Sequence, residues 1–241
     1  MREGAASRCS TARVAKGDAG PMRSQAEIST EVSYERLSRL RDTGFRRLRP
    51  GIDNLSTRVL RLAGSRAEGC GNVRMLRDAR TLGLSVEWTY RYGFPGETDR
   101  SYSRVLTQFS ALHHLPPMQS AVRCGDGISD DTEAALLAGV AAWRRDHPLG
   151  LLELVEDGGA LVVLDDRPGF GRHEYVFAGE AAELLRYVDA PCPLSVLAAR
   201  FGGQVHSRLA DLRECGLVFT DAGSWVHVLP RPTNHRLQLA N

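Results

Sequence analysis

Lysine is nearly absent from these 241 residues: Lys16 is the only one among 31 basic side chains, and the rest are arginine. Against 29 acidic residues the formal charge is +2, which excludes an overall polyanion-binding field and leaves only local basic faces. Long apolar runs are missing too, and none approaches the roughly 20 residues that a membrane-spanning helix needs. The opening stretch MREGAASRCSTARVAKGDAG has arginine and serine but no apolar segment, so it does not read as a secretory signal. The expectation is a cytoplasmic protein with no membrane partner. Paired cysteines are lacking as well. Cys9, Cys70, Cys124, Cys192 and Cys215 are widely spaced, without a CxxC that would let one loop supply two metal ligands. Reduced, partly buried thiols are expected instead.

What is present is enough apolar sequence for real cores, 42% of residues, with 25% charged. Residues 1–25 are rich in Gly, Ala, Ser and Arg without periodicity and read as a disordered N-terminus. From there strand and helix patterns alternate. AEIS ends a strand, and SYERLSRLRDTG is a helix with Leu37 and Leu40 inward and Gly44 as its stop. FRRLRPGI is a strand, and NVRMLRDARTLG a helix with Val73, Leu76, Ala79 and Leu82 on one face. LSVEWTYRYGF is a third strand, and TDRSYSRVLTQFSALHHL a helix that Thr98 or Asp99 can cap. This order over residues 26–118 predicts βαβ units and a parallel sheet of about three strands. PPMQSAVRCGDGISDD then reads as a linker, and the helix DTEAALLAGVAAWRRDHP, with Leu136, Leu137, Val140 and Trp143, completes residues 119–148.

After Pro148 the pattern changes. LLELVEDGGALVVLDD predicts a hairpin around Asp157, Gly158 and Gly159. AGEAAELLRYVD, PLSVLAARFG and VHSRLADLRECG predict three helices, the third aligning Val205, Leu209 and Leu212. LVFTDAGSWVHVL predicts a closing hairpin. Residues 149–232 therefore read as a small α+β winged-helix-like domain, and residues 233–241 as a tail.

Two turns carry the chemical interest. GFPGET, Gly93 to Thr98, follows a strand, and RPGIDNLS, Arg49 to Ser56, ends the strand before it. Glycine-proline turns after parallel strands let backbone approach a ligand and present amide donors at helix starts. Ligands in parallel sheets sit at the carboxyl ends of the strands, where both turns would lie.

These two turns, with TRVLRL and NVRMLRDARTLGL following the first, resemble radical S-adenosylmethionine enzymes. The nearest likeness is to the cobalamin-type group that matures ribosomally made peptides. AAWRRDHPLGLLELVEDGGALVVLDDRP resembles that group's C-terminal region. The resemblance implies an α/β partial radical S-adenosylmethionine (TIM-like) barrel over residues 26–118, S-adenosylmethionine and a [4Fe-4S] cluster as family cofactors, and cobalamin in full-length relatives. It implies a precursor peptide as partner and radical modification of it, C-methylation or a related step, as the lineage function. Carried over by motif, Asp53 and Ser56 lie near the ribose and methionine, and Gly93, Phe94, Pro95 and Glu97 near the adenine.

The sequence departs from the family pattern. It has no CxxxCxxC loop, and Cys9 alone cannot replace three thiolates, so no cluster is expected on this chain alone. Asp53 stands where the family has glutamate, and Arg91 where an apolar residue is expected. The upstream barrel strands are missing, as is a stretch around Met118, which leaves a chain expected to be inactive unless another supplies the missing half. A rival reading is a non-catalytic module. Its winged helix would bind a leader peptide by adding it as a strand beside the hairpin. Alternatively it would bind DNA through a third helix carrying His206, Arg208 and Arg213. DNA is the weaker partner, because Asp211 and Glu214 share that helix. A structural or dimerising role stays open beside both. His113 and His114 read as a helix-end cap, and Asp165 with Asp166 as a strand end without a catalytic role. His206, His227 and His235 receive no site.

Overall fold

The computed structural model describes residues 24–232. The expected disorder of residues 1–23, the tail at 233–241 and Cys9 and His235 lie outside them. The first layer runs β1 (Ser24–Glu27), α1 (Tyr34–Asp42), β2 (Phe45–Arg49), α2 (Thr57–Leu62), α3 (Gly69–Thr81), β3 (Ser85–Val86), β4 (Thr89–Tyr92), α4 (Arg100–Leu106), α5 (Phe109–Leu112), β5 (Ser120–Arg123) and α6 (Asp130–Asp146). The first strand thus takes in Ser24 and Gln25, which the composition had assigned to the disordered N-terminus.

β1 pairs in parallel with β2, β2 with β3, and β4 with β5. β3 and β4 are two halves of one strand broken at Glu87 and Trp88. Glu87 N–H donates to Leu48 O at 2.8 Å and Arg91 N–H to Asp53 O at 2.7 Å, so both halves follow β2. The Gln119 amide fills the break, its Oε1 accepting from Trp88 N–H at 2.5 Å and its Nε2 donating to Val86 O at 2.9 Å. The result is four parallel strands in chain order with helical crossovers, and these strands do not close into a barrel.

The fourth strand corrects the expected count of three. β5 lies inside the segment expected to be a linker, and its pairing with β4 runs from Thr89↔Ser120 to Tyr92↔Arg123. Short length hid it: the SAVR run is four residues with only partial burial. Period-two alternation sends Leu48, Val86, Tyr90 and Tyr92 under the helices. Arg47, Arg49, Glu87, Thr89 and Arg91 go to the opposite face, which is not covered by the described residues. Arg91 is therefore no anomaly: it stands on the open face. On that face Glu87 bridges Arg47 at 2.9 Å and Arg49 at 3.0 Å.

The predicted helices form for the expected reasons, with two changes. Ser33 caps α1, its side chain accepting from Arg36 N–H, and Gly44 at φ 97° stops it. The single helix expected after GFPGET is split into α4 and α5. Asp99 does not cap α4; its carboxylate instead accepts from Ser129 N–H at 2.9 Å, at the start of α6. Leu136, Val140 and Trp143 of α6 are buried, while Leu137 faces out.

The second layer runs β6 (Leu151–Asp157), β7 (Ala160–Arg167), β8 (Gly171–Phe177), α7 (Gly179–Tyr187), β9 (Cys192–Pro193), α8 (Leu194–Phe201), α9 (Val205–Glu214), β10 (Val218–Asp221) and β11 (Ser224–His227). β6 and β7 make the expected hairpin, turning at Gly158 (φ 55°) and Gly159 (φ 88°). β8 adds a third antiparallel strand that the pattern reading missed. Its alternating His173, Tyr175 and Phe177 were the available signal. The three helices follow as expected, and β11 pairs with both β10 and β9 in a small antiparallel sheet.

Buried polar bonds cross the change of pattern near residue 149 at several places. Thr57 N–H donates to Asp221 Oδ2 at 2.7 Å, and Gln108 exchanges two bonds with the backbone of Thr220. His114 Nε2–H donates to Val228 O at 2.9 Å. One buried apolar cluster runs through both layers. At Gly69 any Cβ would sit 1.9 Å from Leu55 O, so only glycine lets α3 approach the first turn.

Candidate functional site

Both glycine turns do lie together at the carboxyl end of the parallel sheet. Asn54, fully buried, is the hub between them. Its Nδ2 donates to Arg91 O at 2.8 Å, and its Oδ1 accepts from Ser56 N–H at 2.8 Å and Tyr90 Oη–H at 3.3 Å. Asn72 Nδ2 donates in turn to Asn54 O at 2.8 Å. Sequence reasoning passed over Asn54 because an Asn inside a turn is ordinary; only the partners show its weight.

The loop after β5 is the third turn at this end. Gly93 (φ 76°) has Gly125 O where a Cβ would be 2.6 Å away, and a Cβ on Gly127 would come within 2.3 Å of Phe94 O. Gly127 N–H donates to Gly93 O at 3.3 Å. RCGDGISDD is therefore a βα turn pressed against GFPGET, with glycines at the points where the two backbones touch.

The six site residues divide. Asp53 lines a groove of about 370 Å³ on the open sheet face, together with Arg49, Trp88, Thr89 and Gln119. Burial raises its carboxyl above the usual range, and the Arg91 charge partly offsets this. Ser56 is buried as the residue before α2 and does not line the groove. Glu97 turns inward: its Oε2 accepts from Gly93 N–H at 2.9 Å and from Tyr102 Oη–H, so it closes its own turn. Its Oε1 is buried without a partner. Phe94 is half-buried with the Arg91 guanidinium 5.4 Å from its ring centre, and Pro95 is exposed. Burial, with the Glu97 hydrogen bond, drives the Tyr102 phenol far above its ordinary value. The phenol therefore stays protonated and donates to Glu97. The pair reads as a strut.

The donor set does not fit an iron-sulfur cluster. Cys70, Cys124, Cys192 and Cys215 sit on separate elements, and no three His, Cys, Asp or Glu among the described residues could hold a metal. Cys70 is buried with its thiol on Ser224 O at 3.3 Å, and burial pushes it far toward the protonated form. Among the histidines, His113 Nδ1 faces Asp146 Oδ2 at 3.1 Å, and burial lowers it. Asp165 is buried against Arg167.

No family model matches the chain, and neither does any curated protein. Among solved structures, coproporphyrinogen III oxidase (HemN) from Escherichia coli, described as a radical SAM enzyme, is similar at 15% identity. The TM-score is 0.40, over 83% of this chain and 65% of that one. The chain thus spans a little under two thirds of that structure's length. A likeness at this level carries no argument on fold or activity. Among the described residues no helix is long and apolar enough to cross a membrane.

Proposed function

We propose that the chain belongs to the radical S-adenosylmethionine lineage of ribosomal peptide maturation and works there only with a second chain. That chain would supply the cluster loop and further barrel strands. The observation that supports this is the set of three glycine turns gathered at one end of four sequential parallel strands, with a grooved, uncovered sheet face beside them. S-adenosylmethionine would supply the radical source when bound to the assembled pair. On this chain Asp53 would meet it along the groove, while Glu97 holds the neighbouring turn through Gly93 N–H and Tyr102. The modification, C-methylation or a related step on a precursor peptide, follows from the sequence resemblance alone. The test is anaerobic reconstitution of the whole chain with iron and sulfide. We expect far less than one cluster; about four iron and four sulfide per chain would overturn the reading.

The rival reading, a peptide-binding module, draws on β8. Among the described residues it has a neighbour on one side only, and Val176 on it is 62% exposed. A peptide adding there would gain backbone hydrogen bonds. The DNA version loses ground, because Arg208 of α9 is bound to Glu180 at 2.5 Å. Titrating the full chain with peptide and with duplex DNA at two salt concentrations separates the two. Peptide binding should fall mildly with salt, and DNA binding steeply.

A further inference from the structure

A cleft of about 540 Å³ opens where α4 and α5 meet the end of α9 and the turn into β8. This is well inside the range of roughly 300–1,000 Å³ typical of ligand sites. Its floor is fixed. Phe170 stacks on the buried Arg167 guanidinium, 4.2 Å from ring centre to Cζ, and fills the space against Gly216, whose Cβ would fall 2.5 Å from the ring. Arg167 itself bonds Ala111 O and Gly216 O, both at 2.9 Å, tying the two sides of the cleft together. The recess is thus a built feature of the joint.

The rim carries Arg104 from α4 and Arg213 from α9, both exposed. Neither has a carboxylate within salt-bridge distance among the described residues, whereas Arg208, earlier on α9, is paired with Glu180. Ser103, Thr107 and Ser110 add hydroxyls on the α4–α5 side, and Glu214 is the one acidic residue of the lining. The cleft also continues the edge of β8: Phe170 immediately precedes that strand, and Tyr175 on it lies beside Cys215. A strand laid along β8 and continued past Gly171 would approach this cleft, whose rim carries both guanidinium groups.

We infer that this cleft takes the acidic segment of an extended peptide whose neighbouring residues add as a strand to β8, with Arg104 and Arg213 holding a carboxylate. The inference rests on the peptide-binding reading of β8 and deepens it by naming the chemistry of the bound segment. Guanidinium pairs suit carboxylates because their planar donors match both oxygens. Phosphate would satisfy the same donors; the edge of β8, which a peptide backbone can extend and a nucleic acid cannot, favours the peptide.

The experiment uses a displayed library of random twelve-residue peptides panned against the full chain and against Arg104→Glu/Arg213→Glu. Wild type should enrich peptides in which Asp or Glu follows or precedes a β-branched run, and the charge-swapped chain should lose that acidic preference. For one enriched peptide, replacing its acidic residue by Gln or Asn should weaken binding to wild type about tenfold and to the swapped chain hardly at all. N-methylating alternate backbone amides of the β-branched run should abolish binding to both. Unchanged binding after N-methylation would overturn the strand-addition reading itself. Strand addition without any acidic preference, or an acidic preference that survives the charge swap, would overturn the inference and leave that reading standing. Competition by a twelve-nucleotide single-stranded DNA at equal or lower concentration would assign the cleft to nucleic acid and overturn it as well.

Discussion

At Arg167 a guanidinium with no exposed surface uses all five of its donors: two on the Asp165 carboxylate, and one each on Ala111 O, Gly216 O and Cys215 O. Removing one member of such a pair strands the other charge in the interior. Arg167→Met should therefore lower stability by about 3–5 kcal/mol, read as a shift in the urea midpoint. Adding Asp165→Leu should recover part of that loss. His227 gives a pH counterpart. Burial, reinforced by the Arg77 charge, lowers it from 6.5 to about 4. The unfolded chain therefore binds that proton first, and stability should decline as pH falls from 6.5 toward 4. This one group contributes about 3 kcal/mol across that window. His113, His114 and His147 are lowered in the same direction and steepen the slope. A urea midpoint that stays flat between pH 7 and 4.5 would contradict this. Glycines offer a third comparison. Gly93→Ala meets both a positive φ and the Gly125 carbonyl, whereas Gly158→Ala meets the positive φ alone. The first should cost clearly more than the roughly 1–2 kcal/mol of left-handed strain expected at the second.

Strands and helices differ in how plainly the sequence announces them. Long amphipathic helices such as α3 and α9 are legible because several apolar residues must fall on one face. β5 is not, since its four residues have no alternation strong enough to distinguish a half-covered edge from a loop. β8 has the alternation, but its outward residues Arg172, Glu174 and Val176 and its glycine start disguised it. The site was half legible. Glycine and proline mark where backbones turn, so the two turns were found; the third was lost with β5. Which way a polar side chain faces depends on partners far along the chain, as with Glu97, and no local pattern records it. Exposed edges have a measurable consequence. Amide exchange in β1, β5 and β8, each paired on one side among the described residues, should run well ahead of that in β2 and β7, which are paired on both. Equal protection across these strands would mean that the edges are covered in solution.

Across the whole molecule, the division near residue 149 is a change of sequence pattern that the buried bonds ignore. Asp221, Thr220, His227 and Val228 all find partners in the first layer. A fragment of residues 149–232 would leave Arg167 without Ala111 O and His227 without Arg77. We expect it to show helical circular dichroism but a broader, less cooperative thermal transition than the full chain. A sharp transition at the same temperature would show that the fragment is self-sufficient. The same bonds set the order in which the molecule can be completed. Thr57 waits for Asp221, 164 residues later, and Arg77 for His227, 150 residues later. At the roughly 5–20 residues per second of synthesis, α3 would spend on the order of ten seconds with a buried-type arginine and its apolar face unmatched. During that interval the first layer is the part most in need of chaperone cover. A ribosome stalled before codon 218 should hold a nascent chain whose first layer is open to protease.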